Sequence, residues 1–339
     1  MLIYDTHLIS EVNKDMIVNG SHLIGYLSQR FCVSDFYGYD LEIFDFNSIE
    51  PNSVVYVDDE IFCISALLDK FLSLITNRRD IVWIVKIQYV YDKLIENGNK
   101  AVLEPYFHIM DDLLCMKVQG APEIVPKYGD KNYFCLNRNY NVNRQRVLNQ
   151  LRKNNLLNFG YVTANATQFE HNHLFKHDPM TDYVAVTTGY ERCNENNLLS
   201  TNVKNFYNIA EKPGYTAIVV ESGYHLPDYK SFFPTEKTII PFLTHRLPLI
   251  YGDANVLHKL EKDGLDIFKD ILDQSYDLMD YHDPKKSKKM IKTNIDVLKN
   301  GVNIKKLKKR LKRNYNFLRN EWLDAKLQNF LSNILTNIN

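Results

Sequence analysis

The stretch FFPTEKTIIPFLTHRLPLIYG, residues 232–252, places a polar turn, an apolar helix pattern and a short apolar strand pattern in direct succession. Thr235 is a residue type that caps helices, and the segment TEKTIIPFLTH (235–245) after it is largely apolar. LPLIYG (247–252) and the preceding TAIVVES (216–222) are short, continuously apolar runs. Two such runs on either side of a helix predict a strand–helix–strand unit with a buried parallel sheet.

The same alternation continues toward both ends of the chain. It predicts strands at LIY (2–4), LEIFDF (41–46), SVVYV (53–57), IVWIVKI (81–87), KNYFCLN (131–137) and FGYVTAN (159–165). It predicts helices over 19–31, 60–77, 89–99, 142–155 and 253–264, the last one closing on Gly264. Strands that alternate with helices predict an α/β fold class with two doubly wound, Rossmann-like halves.

The boundary between the halves is predicted at QGAPEIVPKYGDK (119–131), which contains two prolines and two glycines. We therefore expect one domain over 1–120, a second over 131–284, and a basic helical tail over 285–339 that packs back on the body. The tail pattern predicts two helices. The Asn- and His-rich stretch 165–205 follows no clear pattern.

Composition places the chain among globular proteins. Hydrophobic residues make up 45% and charged residues 24%, and no run of eighteen apolar residues occurs. The N-terminal MLIYDTHLISEVNKD lacks the order of a secretory signal. The five cysteines are odd in number and far apart, so we expect reduced structural thiols and a cytoplasmic protein.

The charge is unevenly distributed, although the formal net charge is zero. Residues 285–319 hold fourteen Lys or Arg against one acid, Asp296. Apolar residues at helical spacing, such as Leu307 and Leu311, predict one packing face and one basic face. A solvated face, an anionic membrane surface and nucleic acid are competing interpretations, and double-stranded DNA is preferred. The predicted DNA contacts are Lys305, Lys306, Lys308, Lys309, Arg310, Lys312 and Arg313.

The adjacent charges Glu236 and Lys237 at the start of a helix need an explanation. Glu236 suits the positive end of a helix dipole, but Lys237 does not. In open α/β sheets, ligands bind at the carboxyl ends of strands against helix N-termini. There, Lys237 and backbone amides can face a diphosphate, and Glu236 can accept a hydrogen bond from a sugar hydroxyl. A charged, capped first turn without a ligand is the alternative.

The order of motifs over residues 131–280 resembles the donor half of GT-B glycosyltransferases. It is similar to the TEK pattern of the α-fucosyltransferase families, and closer to a group of phage and bacterial glycosyltransferase-like proteins. The matching features are YFCLNRNYNVNRQRVLNQL (133–151), a strand that ends at Glu221, TEKT (235–238), PLIYG (248–252), Leu257, Leu260, Gly264, Phe268 and DQSYD (273–277).

This resemblance implies metal-independent transfer of a sugar from a UDP- or GDP-linked donor, with no other cofactor. It implies that Glu236 contacts the donor ribose and Lys237 the donor phosphates. Phage DNA glycosyltransferases share this fold type, so a hydroxymethylated base in phage DNA is the preferred acceptor and the cytoplasm of an infected bacterium the expected location. A cell-surface glycan or lipid-linked acceptor is the alternative. A non-catalytic protein that binds nucleotide or DNA is a further alternative.

Further donor-site candidates lie beside predicted strand ends. Arg138 and Arg144 can each place a forked guanidinium on a diphosphate, unless they are solvated loop arginines. The donor-binding prediction also includes Glu221, Thr235, Tyr251 and Gly252. His245 and Arg246 are best explained as cations at the C-terminus of a helix.

A general base is expected in the first half of the chain. Asp58 and Asp59 follow the strand at 53–57, and Asp5 follows the first strand, where each can face the cleft. Capping of the next helix is the alternative for Asp58 and Asp59.

The stretch EHNHLFKHD (170–178) suggests a metal cluster or an HNH-like nuclease. Its spacing does not bring the histidines together, so no metal site is predicted and a polar loop near the acceptor is preferred.

Overall fold

The computed structural model describes residues 2–3, 54–56, 65–118, 120–137, 139–165, 167–176, 201–221 and 234–338. They form two four-stranded sheets in which every neighbouring pair of strands is parallel. The mixed α/β class with parallel sheets, predicted from the alternating pattern, is confirmed for this part of the chain.

The first sheet has the strand order β1-β2-β3-β4. Its strands are β1 (Leu2–Ile3), β2 (Val54–Tyr56), β3 (Val82–Val85) and β4 (Lys100–Leu103), and its helices are α1 (Ser65–Ile75), α2 (Gln88–Glu96) and α3 (Phe107–Val118). All four residues of β3 are buried, as expected for a strand covered on both faces. The sequence did not predict β4 or α3. The predicted strand at 41–46 and helix at 19–31 lie outside the described residues.

The second sheet has the strand order β6-β5-β7-β8. Its strands are β5 (Tyr133–Cys135), β6 (Gly160–Val162), β7 (Thr216–Val220) and β8 (Leu247–Tyr251), and its helices are α4 (Val142–Lys153), α5 (Thr201–Ala210), α6 (Glu236–Leu243) and α7 (Val256–Lys262). Each strand here matches a predicted one. Helix α5 begins in the unassigned stretch 165–205, and no element was predicted over its residues.

The second sheet contains a reversal of strand order. The chain passes from β5 to β6 on one side, and then places β7 on the other side of β5. The connections that leave β5 and β7 therefore run in opposite directions along the sheet. A crevice lies between the carboxyl ends of these two strands. The described strands of the first sheet follow in sequential order and have no such reversal.

The basic tail continues as four helices instead of the predicted two. They are α8 (Lys286–Thr293), α9 (Ile295–Asn300), α10 (Ile304–Phe317) and α11 (Leu323–Ile338), with a π-helical turn over Leu318–Trp322 between the last two. Helix α8 packs on α4, and α10 packs on α6. Helix α11 packs on β3, β4 and α3, so the tail crosses from the second sheet to the first.

Arg246 connects the turn before β8 to the turn before β7. Its side chain is fully buried, and its guanidinium donates to the carbonyls of Gly214 (2.9 Å), Thr244 (3.0 Å), Ala210 (3.0 Å) and Lys212 (2.6 Å). Burial lowers the pKa of Arg246 to about 10, which leaves it charged at neutral pH. The prediction of a cation at the C-terminus of a helix is thus only part of its role.

The substitution Arg246→Ala is expected to lower the free energy of unfolding by about 3 kcal/mol or more, because it leaves several buried carbonyls without a donor. Denaturant unfolding measures this loss. Arg313→Ala, at an exposed position of α10, is the control and is expected to cost less than about 0.5 kcal/mol. Equal effects of the two substitutions would contradict the role given to Arg246.

A buried polar cluster joins the tail to the first sheet. Asp263 accepts hydrogen bonds from Trp322 Nε1 (3.3 Å) and pairs with Lys326 (2.9 Å). The ring of Tyr106 lies 5.3 Å from that of Trp322, and the Tyr106 amide donates to Glu104 Oε1 (3.1 Å). Burial raises the pKa of Glu104 to about 7, against the opposing effects of the Tyr106 amide and Lys326.

The raised pKa of Glu104 predicts a loss of stability as pH rises. The folded protein binds this proton more tightly than the unfolded chain, so the contribution of Glu104 to stability is complete below pH 4.5 and is lost as pH rises to about 7. Over that window the free energy of unfolding of wild type should fall by about 3 kcal/mol relative to Glu104→Gln. Denaturant unfolding across pH measures the difference, with Glu211→Gln at the surface as a control. Parallel pH profiles for wild type and Glu104→Gln would show the prediction to be wrong.

Candidate functional site

The candidate site is the crevice between the carboxyl ends of β5 and β7, here called the switch-point crevice. Its described residues are Asn137, residues 139–144, Glu221 and residues 234–238. The N-termini of α4 and α6 both point into this region, because each helix follows one of the two strands. The crevice therefore combines helix amides with the charged side chains of four predicted site residues.

Glu221 is the buried anchor of the crevice. It follows β7, is 2% exposed, and its carboxylate accepts hydrogen bonds from the hydroxyls of Thr235 (2.5 Å) and Thr238. Burial raises its pKa, against the opposing effects of Lys237 and the two hydroxyls. Thr235 also caps α6 by accepting from the Lys237 amide (3.2 Å). The carboxylate of Glu221 thus fixes the start of α6.

Glu236 and Lys237 form an ion pair at the first turn of α6. Their side chains are 24% and 25% exposed, so solvent reaches both. Burial acts against the charge of Lys237, but the carboxylates of Glu236 and Glu221 outweigh it and raise its pKa. This explains how a lysine is stable at the positive end of a helix, and it leaves a partly exposed lysine side chain at the crevice.

Arg144 spans the crevice from α4 to the end of β7. Its Nε and Nη2 donate to the carbonyl of Val220 (3.4 Å each), and Nη1 donates to that of Asn139 (2.9 Å). Burial lowers its pKa, partly offset by Tyr281 and Glu221. With Lys237, Glu221 and Glu236, Arg144 gives the crevice a formal charge balance of zero.

Tyr281 is a supporting residue that the sequence did not reveal. Its hydroxyl donates to the carbonyl of Glu221 (2.9 Å) and accepts from Asn141 Nδ2 (3.2 Å). Its own carbonyl accepts from the hydroxyl of Tyr251 (3.0 Å) and from Asn143 Nδ2 (3.2 Å). Tyr251 is fully buried, so its side chain supports this network and does not line the crevice. The one sequence feature that could have indicated Tyr281 is the DYHD segment (280–283), shortly after the DQSYD motif (273–277).

Gly252 and Asn137 complete the carboxyl edge of the sheet. A Cβ on Gly252 would make an ordinary contact of 3.4 Å with Glu221 Cγ, so the side chain of Glu221 lies next to this glycine, where a ligand was expected. Its carbonyl accepts from Lys286 Nζ (2.7 Å). Asn137 is 1% exposed, and its amide donates to the carbonyl of Thr163 (3.1 Å) and to Cys135 Sγ (3.3 Å). Cys135 is a buried free thiol.

Several predicted residues lie elsewhere. Arg138, Asp5, Asp58 and Asp59 lie outside the described residues, as do His177 and Asp178. Glu170, His171 and His173 occupy an exposed turn. Within the ranges that the structure describes, no group of three or more possible metal ligands occurs, and no helix is long and apolar enough to cross a membrane.

The predicted nucleic-acid contacts lie on α10, and they fall into two groups. Lys305, Lys306, Lys308, Lys309 and Arg313 are exposed. Arg310 instead pairs with Asp266 (2.6 Å) and Asp270 (2.7 Å), and Lys312 pairs with Glu123 (3.0 Å). Arg310 and Lys312 therefore also attach α10 to the rest of the protein.

Comparison with known proteins gives no match. No family model matches the chain, and neither does any curated protein or solved structure.

Thr238→Val is expected to lower the free energy of unfolding by about 1–3 kcal/mol, because it removes a donor from the buried Glu221 carboxylate at nearly constant volume. Denaturant unfolding at neutral pH measures this. Thr244→Val is the matched control. Thr244 is also fully buried, but its hydroxyl donates to the carbonyl of Ile240 (2.6 Å), which already accepts from the Thr244 amide. A larger loss for Thr244→Val would contradict the anchoring role of Glu221.

Proposed function

We propose that this protein is a glycosyltransferase that uses a nucleotide-sugar donor bound in the switch-point crevice. The supporting observation is that the reversal of strand order coincides with the accessible Lys237 at the N-terminus of α6. Ligands of open α/β sheets bind at such reversals, and helix N-termini favour phosphate. A two-domain GT-B arrangement of the whole chain belongs to this proposal.

The crevice residues suggest separate tasks for donor binding. Lys237 changes partner from Glu236 to the diphosphate, which lies at the positive end of the α6 dipole. From the opposite wall, the guanidinium charge of Arg144 attracts the diphosphate. Glu236, released from Lys237, accepts a hydrogen bond from the donor ribose. Arg138 remains a further candidate contact with the phosphates.

Transfer requires the acceptor hydroxyl to attack the anomeric carbon while the bond to the diphosphate oxygen breaks. A carboxylate takes the hydroxyl proton, and the nucleoside diphosphate leaves with the bonding electrons. We propose Asp58, Asp59 or Asp5 for the base, since each follows a strand of the first sheet in the sequence. The resemblance implies that the cationic side chains, without a metal ion, offset the charge of the leaving group.

The acceptor that we propose is a hydroxymethylated base in DNA, and a cell-surface glycan or a lipid-linked sugar is the alternative. A non-catalytic nucleotide binder would share the crevice but not the base. Turnover therefore separates these candidates. Sugar transfer to hydroxymethylated DNA supports the first, transfer to a lipopolysaccharide extract supports the second, and donor binding without any transfer supports the third.

Isothermal titration calorimetry with UDP, GDP and their sugars tests the donor site. Wild type is expected to bind one nucleotide series at micromolar affinity, and Lys237→Ala to bind it about 10- to 100-fold more weakly, because one charge-assisted hydrogen bond is lost. Lys262→Ala, an exposed lysine at the end of α7, is the control and should bind as wild type does. If wild type binds none of these nucleotides, the donor-site proposal is wrong.

A further inference from the structure

The exposed side of α10 carries a compact set of cations, here called the α10 basic face. Its members are Lys305, Lys306, Lys308, Lys309 and Arg313, and none of these side chains has an ion pair within the described part of the chain. Lys305, Lys309 and Arg313 are four residues apart and form one row. That row extends about 12 Å along the helix axis, at about 1.5 Å per residue.

The opposite side of α10 is held firmly against the body. Leu311 and Tyr315 are 1% and 3% exposed. Arg310 makes a forked contact with Asp266 and a second contact with Asp270, while Asn314 Nδ2 donates to the Asp266 carbonyl (2.7 Å). These contacts fix the rotation of the helix, so the basic face is presented in one orientation.

The α10 basic face lies at the edge of the sheet opposite to the switch-point crevice. Just before α10, the carbonyl of Lys299 accepts from Asn132 Nδ2 (2.7 Å), and Asn132 immediately precedes β5. Near its other end, the ring of Tyr315 stacks on His245 at 4.7 Å, and His245 lies just before β8. Both ends of α10 are therefore at the amino ends of strands. The five residues of β7 separate this edge from Glu221 by about 17 Å.

We infer that the α10 basic face is a docking surface for the phosphate backbone of duplex nucleic acid, separate from the nucleotide-sugar crevice. A duplex presents about one negative charge per 1.7 Å of axis when both strands are counted, so a length of duplex equal to the row carries about seven phosphate charges. The rest of the chain must carry a negative balance, because residues 285–319 are strongly basic and the formal net charge is zero. The clustered cations of this face therefore attract a polyanion, and the chain outside residues 285–319 repels it.

Duplex nucleic acid fits this face better than a membrane does. None of the exposed large apolar side chains among the described residues belongs to α10, because the apolar side of this helix is buried in the body. A helix that inserts into a membrane interface needs an exposed apolar face. The inference goes beyond the proposed sugar transfer and stands without it. If both hold, DNA is tethered at one edge while the reaction takes place at the other.

Fluorescence anisotropy with a labelled 30-bp DNA duplex tests the inference. Five phosphate contacts predict a slope of about −4.5 for log affinity against log salt, which is about a 500-fold loss between 50 and 200 mM salt. The triple variant Lys305→Gln, Lys308→Gln, Lys309→Gln is expected to reduce the slope to about −1.8. The control triple is Lys153→Gln, Lys285→Gln, Lys288→Gln, which removes three exposed lysines from α4 and from α8 and its N-terminus and should keep the wild-type slope.

Three results would overturn the inference. They are no duplex binding by wild type, an equal loss in the two triple variants, or binding to vesicles of anionic phospholipid without binding to the duplex. Thermal unfolding of both variants checks that they fold. Nucleotide titrations are run on the same proteins and should be unchanged by either triple substitution. If wild type binds the duplex but binds no nucleotide, the donor-site proposal is contradicted and the docking surface is not.

Discussion

The carboxylate of Glu221, buried at the end of β7 and bound by the hydroxyls of Thr235 and Thr238, is the contact on which the second half of the molecule depends. A buried carboxylate without donors is costly, so these hydroxyls must stay where the carboxylate needs them. The start of α6 is thereby fixed relative to the sheet. Helix α6 in turn packs on β7, β8, α3, α5 and α10, so its position affects both halves and the tail.

The same carboxylate accounts for the charges around it. Lys237 keeps its charge at the N-terminus of a helix because the carboxylates of Glu236 and Glu221 together outweigh burial and raise its pKa. Arg144 completes a balanced set of two cations and two carboxylates. A nucleoside diphosphate would disturb that balance, and Lys237 has the accessible side chain that can respond to it. The Glu236–Lys237 ion pair therefore fits both a structural role and a ligand-binding role.

The sequence was sufficient for the second sheet and for three strands of the first, and insufficient for the contacts that support the crevice. Apolar runs such as 216–222 and 247–252 predict buried parallel strands because both faces must be covered. The strand β4 was missed because KAVL is short and begins with lysine. The contact of Tyr281 with Glu221 spans sixty residues, and no local pattern encodes it. The helical spacing of apolar residues likewise predicted the basic face of α10. The edge of the sheet at which this face lies is set by the contacts that Asn132 and His245 make.

Backbone amide chemical-shift mapping during titration with UDP and with GDP is the most direct test of the central claim that this crevice is the donor site. The account predicts that the largest changes fall on residues 139–144 and 235–238, with smaller changes at Glu221 and Tyr281 and none along α10. Changes confined to the carboxyl edge of the first sheet, or spread over α10, would contradict it.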